Sequence, residues 1–294
     1  MRRIKPFCFL SIIILTFTLP VSGQQKKQPP QYRQAPVPVT AHKINENVYE
    51  VRGGAGSNSS FIIGDDGVIL IDAKMTDQSA GDMIEAIKKI TDKPVKLLIL
   101  THSDGDHVNG MTGLPENISI IAHVNTARDI KKENESGRVK LPLPGLTFSE
   151  KMPVSNLKGN QDIILYYFGP AHTDGDIVVY MPEYRIAVIG DLFFKGMDPL
   201  IHRHKNGSSE GLVNALQKII DLDAEYYLSG HAEPVKKKEI VSLRKTVIEK
   251  RNRVKSMIAN GKNLDDVKKA FGIAAGPGRW PSLVEIIYNE MISK

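Results

Sequence analysis

Leu100-Thr101-His102-Ser103-Asp104-Gly105-Asp106-His107 closes an apolar run that begins at Val95. His102, Asp104, Asp106 and His107 all carry metal-ligating side chains, and they follow a strand directly. Burying such groups without partners costs several kcal/mol, and a metal ion removes that cost. Histidine together with carboxylate suits zinc, iron or manganese rather than calcium or magnesium.

Three later apolar runs end in the same way. Ile163–Phe168 leads into Gly169-Pro170-Ala171-His172-Thr173-Asp174-Gly175-Asp176, Arg185–Ile189 into Gly190-Asp191, and Glu225–Leu228 into Ser229-Gly230-His231. Strand ends on one edge of a sheet share a rim, so these side chains are expected to converge. The expected donors are His102, Asp104, Asp106, His107, His172, Asp191 and His231. Such a set is too large for one tetrahedral ion and suits a pair of ions.

These residues resemble the signature of metallo-β-lactamase-fold metallohydrolases: Thr-His-x-His-x-Asp-His, a distant His, an Asp after a strand, and a late Gly-His. Gly67-Val68-Ile69-Leu70-Ile71-Asp72 is similar to that family's early strand with its terminal Asp, and Gly56-Ser57-Asn58 to its preceding turn. The branch suggested is glyoxalase II-like, among periplasmic hydrolases. The resemblance spans residues 42 to 234 and implies a four-layer αββα sandwich of the α/β class, here with extra C-terminal helices. It further implies a first site of His102, Asp104 and His172, a second of Asp106, His107 and His231, and Asp191 bridging them. The resemblance also implies a catalytic role for Asp106, orienting the nucleophile at the second ion.

Asp104 departs from the pattern, which has histidine there. An aspartate oxygen reaches about as far as a near ring nitrogen, so the change alters charge more than reach. It also opens the metal assignment: two divalent ions are expected, zinc first, with iron or a mixed iron/zinc pair as the alternative. Two ions sharing a water lower its pKa from 15.7 to about 7, which supplies hydroxide for attack at carbonyl, phosphorus or sulfur. The expected activity is hydrolysis of small-molecule esters, lactones, thioesters or amides. The competing readings are a β-lactamase with an atypical metal site, a diiron oxidoreductase, and a metal-binding protein without catalysis. No flavodoxin-like donor domain accompanies the metal motifs, which counts against the oxidoreductase.

The N-terminus reads as an export signal. Met1-Arg2-Arg3-Ile4-Lys5 is basic, Phe7–Leu19 is apolar, and Val21-Ser22-Gly23 ends on a small residue. The apolar run falls short of the about 20 residues that span a bilayer, so cleavage after Gly23 and no stable membrane anchor are expected. Residues 24–41 read as a disordered Gln/Pro-rich linker, residues 42–234 as the metal domain, and residues 235–294 as a helical extension packed on it. The expected location is periplasmic or secreted. Cys8 is the single cysteine and lies inside the apolar run, so thiol chemistry and cysteine ligands are excluded. The formal charge of +6 resides in Arg2, Arg3 and Lys5 of the signal and Lys26, Lys27 and Arg33 of the linker. The remainder has no basic excess, so a small-molecule substrate is expected and nucleic acid is not.

Along the metal domain, Val48–Val51, Ser60–Ile63 and Val68–Ile71 read as antiparallel strands, and Ala80–Ile90 as a helix. Val95–Leu100 and Ile118–Ala122 read as further strands, Val124–Glu133 as a helix, and Arg138–Met152 as a long Pro/Gly-rich loop. Leu192–Ser209 reads as irregular, with Ser209 capping the next helix. Lys236–Ala259, Leu264–Phe271 and Pro281–Ser293 read as helices. Asp72 is expected to hold backbone beneath the site, and His123 to be a structural histidine. Thr173, Asp174 and Asp176 are expected to shape the His172 loop. Lys195, His202 and His204 are read as solvated loop residues, with contact to an anionic substrate as the alternative. Phe193 and Phe194 are read as wall or core.

Overall fold

The computed structural model describes residues 37–154, 163–274 and 280–293. The expected signal peptide and the linker up to residue 36 lie outside the described residues. Thr40 and Ala41, placed in the expected linker, belong to the first strand.

A seven-stranded sheet runs in sequence order: β1 (Thr40–Lys43), β2 (Val48–Arg52), β3 (Ser59–Ile63), β4 (Val68–Ile71), β5 (Val95–Ile99), β6 (Ser119–His123) and β7 (Leu146–Phe148). Strands β1 to β4 pair antiparallel, and β4 to β7 pair parallel. A second, five-stranded sheet has the order β12-β11-β10-β9-β8, with β8 (Lys151–Val154), β9 (Ile163–Tyr167), β10 (Ile177–Met181), β11 (Ile186–Phe194) and β12 (Tyr226–His231). The helices are α1 (Asp77–Lys88), the single turn α2 (Gly105–Val108), α3 (Val124–Glu135), α4 (Ser209–Asp221), α5 (Lys237–Ala259), α6 (Leu264–Ala270) and α7 (Leu283–Ile292).

The period of two in each strand sorts side chains into layers. In β4, Val68 and Leu70 point to α1, joining Met83, Ile84 and Ile87, while Ile69 and Ile71 point inward. The inner layer joins the sheets through Ile99 and Ile121 on one side and Leu165, Val179, Val188 and Leu228 on the other. Tyr227, Ala187 and Ile189 face outward, against Leu212 and Leu216 of α4, Ile240 and Val247 of α5, and Ile287 of α7. The result is the expected αββα order, and the C-terminal helices belong to the outer core. Both faces of the central strands are buried, which explains continuous apolar runs instead of alternation.

Several local expectations change. The Pro/Gly-rich stretch 138–152 contains β7 and the start of β8, short edge strands that exist only through pairings such as Ile121 with Leu146. Ile177–Met181 is an additional buried strand. The N-cap of α4 is Ser208, whose side chain accepts from Gly211 N. Asp191 lies within β11, not beyond it; Gly190 takes a positive φ of 49° at a register shift, which lets the strand continue to Phe194.

Candidate metal centre

The C-terminal ends of β4, β5 and β12 meet β11 at one rim, and all seven expected donors stand there. His102 follows β5, Asp104 precedes α2, Asp106 and His107 ride on α2, His172 sits between β9 and β10, and His231 ends β12. The Gly56-Ser57-Asn58 turn ties two of these segments together. Ser57 N and Oγ donate to Asp106 O at 3.2 and 3.1 Å, and Asn58 N donates to Gly230 O at 2.7 Å. Gly230 is required: a Cβ there would stand 2.4 Å from Asp191 Oδ1 and 2.7 Å from His107 Cε1.

Hydrogen bonds set the orientation of three imidazoles. Asp72, in the left-handed region at φ 62°, accepts from Thr101 N and Thr101 Oγ1, both at 2.8 Å. That bond uses the hydroxyl proton of Thr101, so Oγ1 accepts from His102 Nδ1 at 3.0 Å. His107 Nδ1 donates to Asp72 Oδ2 at 2.8 Å, and His172 Nδ1 donates to Leu200 O at 2.8 Å. Each ring therefore carries its proton on Nδ1 in the neutral form and turns Nε2 to the rim.

These nitrogens meet carboxylates rather than ordinary hydrogen-bond partners. His102 Nε2, His107 Nε2 and Asp191 Oδ1 are buried without a hydrogen bond. His107 Nε2 and Asp191 Oδ1 stand 3.1 Å apart yet misaligned for one. Buried lone pairs facing each other are costly, and a shared cation fits them. The donors fall into overlapping groups, each with its atoms within 4.8 Å: Asp106, His107, Asp191 and His231; His102, His172 and Asp191; Asp104, His172 and His202. Asp191 spans the first two. Its Oδ2 lies 3.2 Å from His231 Nε2, 3.8 Å from His172 Nε2 and 3.9 Å from His102 Nε2. The second expected set is thus brought together. The first is more divided: Asp104 Oδ2 stands 3.7 Å from His102 Nε2 but 2.9 Å from His172 Nε2.

Protons take the place of cations here. Burial opposes charge on His172 and His231, but Asp104, Asp106 and Asp191 outweigh it and lift each to about 9. His107 is also held charged by Asp191 and Asp72 against its burial, while burial and the charge of His107 keep His102 neutral. A raised histidine contributes stability that is full below 6.5 and lost as pH rises through about 9. Burial holds Lys74 down to about 8, and it acts in the opposite sense above that value. The melting temperature of chelator-treated protein should therefore fall between pH 6.5 and 8, and metal-loaded protein should lose that dependence. Thermal melts at each pH check this; a flat or rising curve with chelator contradicts it.

Most flanking residues follow expectation. His123 Nε2 pairs with Ser149 O at 3.1 Å and its ring stacks on Tyr167, a structural role. Asp174 accepts from Arg128 at 2.7 Å, and Asp176 accepts from Thr173 N at 2.9 Å. Phe193 is core, and Phe194 stacks on His231 with centroids 5.2 Å apart. His202 differs from its reading as a solvated loop residue, since its Nε2 lies 2.9 Å from Asp104 Oδ2. Lys205 was not singled out in the sequence, yet its Nζ donates to Asp104 Oδ1 at 2.7 Å and to Ser103 O at 3.0 Å. Neither follows an apolar strand, so no periodic signal marked them. Lys74 is fully buried and donates to Val51 O and Ser57 O, holding the turn beside the rim.

A cleft of about 660 Å³ opens over the donors, with Met75, Phe194, Lys195, Met197, Leu200, His204 and Trp280 in its walls. A larger one, about 1000 Å³, lies at the opposite ends of β4 to β6; its charged lining residues are Asp66 and Lys96, and no donor cluster stands there among the described residues.

Residues 52–231 match the metallo-beta-lactamase superfamily, and the chain belongs to this superfamily of metal-dependent hydrolases. Among curated relatives, the type 2 metallo-beta-lactamase of Bacillus cereus is 28% identical over 207 residues, covering 66% of this chain and 77% of that one. The alpha subunit of 2,4-dinitroanisole O-demethylase from Nocardioides sp. (strain JS1661) is 28% identical over 195 residues, 66% of this chain and 57% of that protein. Among solved structures, a metallo-beta-lactamase from Pontibacter korlensis aligns with TM-score 0.61 and 20% identity, covering 70% of this chain and 99% of that one. The sec-alkylsulfatase Pisa1 from Pseudomonas sp. aligns with TM-score 0.67 and 16% identity, covering 85% and 47%. The two structural likenesses speak to the fold.

Proposed function

We propose that this chain is an exported, dinuclear metal-dependent hydrolase of small-molecule esters, lactones, thioesters or amides. The observation that carries the reading is Asp191, one buried carboxylate facing His107 and His231 on one side and His102 and His172 on the other. Divalent ions held there, zinc first, supply Lewis acidity and a nucleophile at neutral pH.

The protein's own part is positioning. Asp106 and His231 are the donors most open to the cleft, with side chains 27% and 34% exposed, so substrate meets that end of the rim. Asp106 Oδ2, 3.1 Å from His231 Nε2, is placed to hold a proton beside the reacting atom. In the metal-free chain burial works against its charge, but His231 and His107 keep its pKa below the usual carboxylate value. Phe194, Met75, Met197 and Trp280 offer apolar walls, and Lys195 a cation, which suits an organic substrate of modest size.

The test has two parts. Native mass spectrometry of exported protein should show two bound ions and a chain beginning near Gln24. That protein should then turn over at least one member of a panel of esters, lactones, thioesters, amides and a β-lactam. Two bound ions with no turnover across the panel would overturn the hydrolase reading, and an intact N-terminus on membrane-bound chain would overturn the exported one. An alkyl sulfate completes the panel, since one structural neighbour is named an alkylsulfatase.

A further inference from the structure

The motif lacks a histidine at position 104, and the structure brings another to the same place from a distant loop. His202 Nε2 and His172 Nε2 both stand 2.9 Å from Asp104 Oδ2, and His102 Nε2 stands 3.7 Å from it. Donors around one zinc at tetrahedral angles, with bond lengths of 2.0–2.2 Å, are separated by about 3.3–3.6 Å. The observed separations bracket that value.

The groups that contain His172 belong to one ion. Its Nδ1 donates to Leu200 O, leaving a single lone pair on Nε2. That lone pair serves one cation, so the His102–His172–Asp191 group and the Asp104–His172–His202 group are two halves of one surround. Asp104 is fixed to take part through one oxygen only. Lys205 Nζ holds Oδ1 at 2.7 Å, with Ser103 O and Oγ as its other acceptors at 3.0 and 3.1 Å, so Oδ2 is the atom turned to the imidazoles.

His202 is built in, not adventitious. Its backbone N donates to the backbone O of His172 at 2.8 Å, tying the two histidines directly. The turn that follows is closed by Lys205 N and Gly207 N, which donate to His202 O at 2.9 and 3.0 Å. Gly207 permits the approach: a Cβ there would stand 2.2 Å from His172 O. Arg203 Nη1 donates to Gly207 O at 2.7 Å and to Glu290 Oε1 of α7 at 3.3 Å. The Trp280 ring crosses that of His202 with centroids 5.3 Å apart. Glu290 and Trp280, both outside the family match, thereby brace the loop that carries His202.

We propose that His202 is a protein ligand of the first metal ion, completing a set of His102, Asp104, His172 and His202 beside the shared Asp191. The inference rests on the metallohydrolase reading above. It restores the three imidazoles that the substitution at Asp104 removes, and draws the third from outside the motif. It also divides labour between the ions. With Asp191 shared between the ions, the first ion has five protein donors, more than the four that close a structural zinc site. The first set is accordingly the buried one, with side-chain exposures of 1% for His102 and His172, 13% for Asp104 and 12% for His202. The open coordination position then belongs to the second ion, at Asp106 and His231.

Anomalous diffraction from zinc-loaded crystals, paired with chelator-competition titration of parent and variants, tests the assignment. The first ion should lie about 2.0–2.1 Å from His202 Nε2. His202→Gln keeps a hydrogen-bond donor for Asp104 but removes the imidazole. It should weaken first-site zinc affinity at least tenfold and leave the second site within twofold, with metal-free melting unchanged. His202→Ala should match it. An ion beyond 3 Å from His202 Nε2, or first-site affinity preserved in His202→Gln, would overturn the ligand role and leave the hydrolase reading standing. A parent that binds no zinc would overturn both.

Discussion

Asp106→Ala is expected to lower kcat by on the order of 10²–10⁴-fold, the range for loss of a positioned acid–base group. The residue is a half-exposed donor on α2, and its carboxylate faces His231 at 3.1 Å and His107 at 3.7 Å. Its backbone carbonyl, not its side chain, holds the Ser57 turn, so alanine leaves the local fold intact. The melting temperature should stay within a few degrees of the parent. Steady-state kinetics beside a circular-dichroism melt decide the matter; turnover near the parent rate would remove Asp106 from the reaction. His107→Ala is a poorer probe than the strand-end position suggested. His107 is fully buried between Asp72 and Asp191, so its removal strands two carboxylates and destabilises the chain as well.

Asp72→Ala is expected to cost about 3–5 kcal/mol of folding stability, the penalty for breaking a buried charged pair. The change orphans Thr101 N, Thr101 Oγ1 and His107 Nδ1 together. It also frees the ring of His107, and affinity at the second metal site should fall about 10–100-fold, as for other partners behind ligating histidines. Asp72→Asn should cost less, because asparagine tolerates the φ of 62° and retains one acceptor oxygen. Denaturant unfolding and chelator competition on both variants separate these effects. An alanine variant as stable as the parent would show that the Thr101 and His107 donors find other acceptors.

Much of this was legible in the residues. The apolar runs Val68–Ile71 and Val95–Leu100 identify buried strands, and a glycine next to Asp104, Asp106, Asp191 and His231 marks a turn at a strand end. That pattern is local, so six of its donors stand where it puts them. Asp191 needed more: whether β11 stops at Gly190 depends on its pairing with β12, since the register shifts there. β7 and β8 were hidden for a related reason. Three or four residues among prolines and glycines carry too little periodicity, and only neighbouring strands select them.

His202 and Lys205 show where sequence reasoning ends. Both sit in an irregular segment, and no spacing links them to Asp104 about a hundred residues earlier. Sequence by itself determined the donor chemistry and the rim, because strand-end turns are short-range and repeat in the chain, while the sandwich was implied by the resemblance those motifs carry. Tertiary structure alone decided which donor meets which. That choice rests on single hydrogen bonds between distant segments: His202 N to His172 O, Lys205 Nζ to Asp104 Oδ1, and Asp72 beneath Thr101 and His107. Such bonds have no period and depend on loop paths fixed only after the sheets have packed.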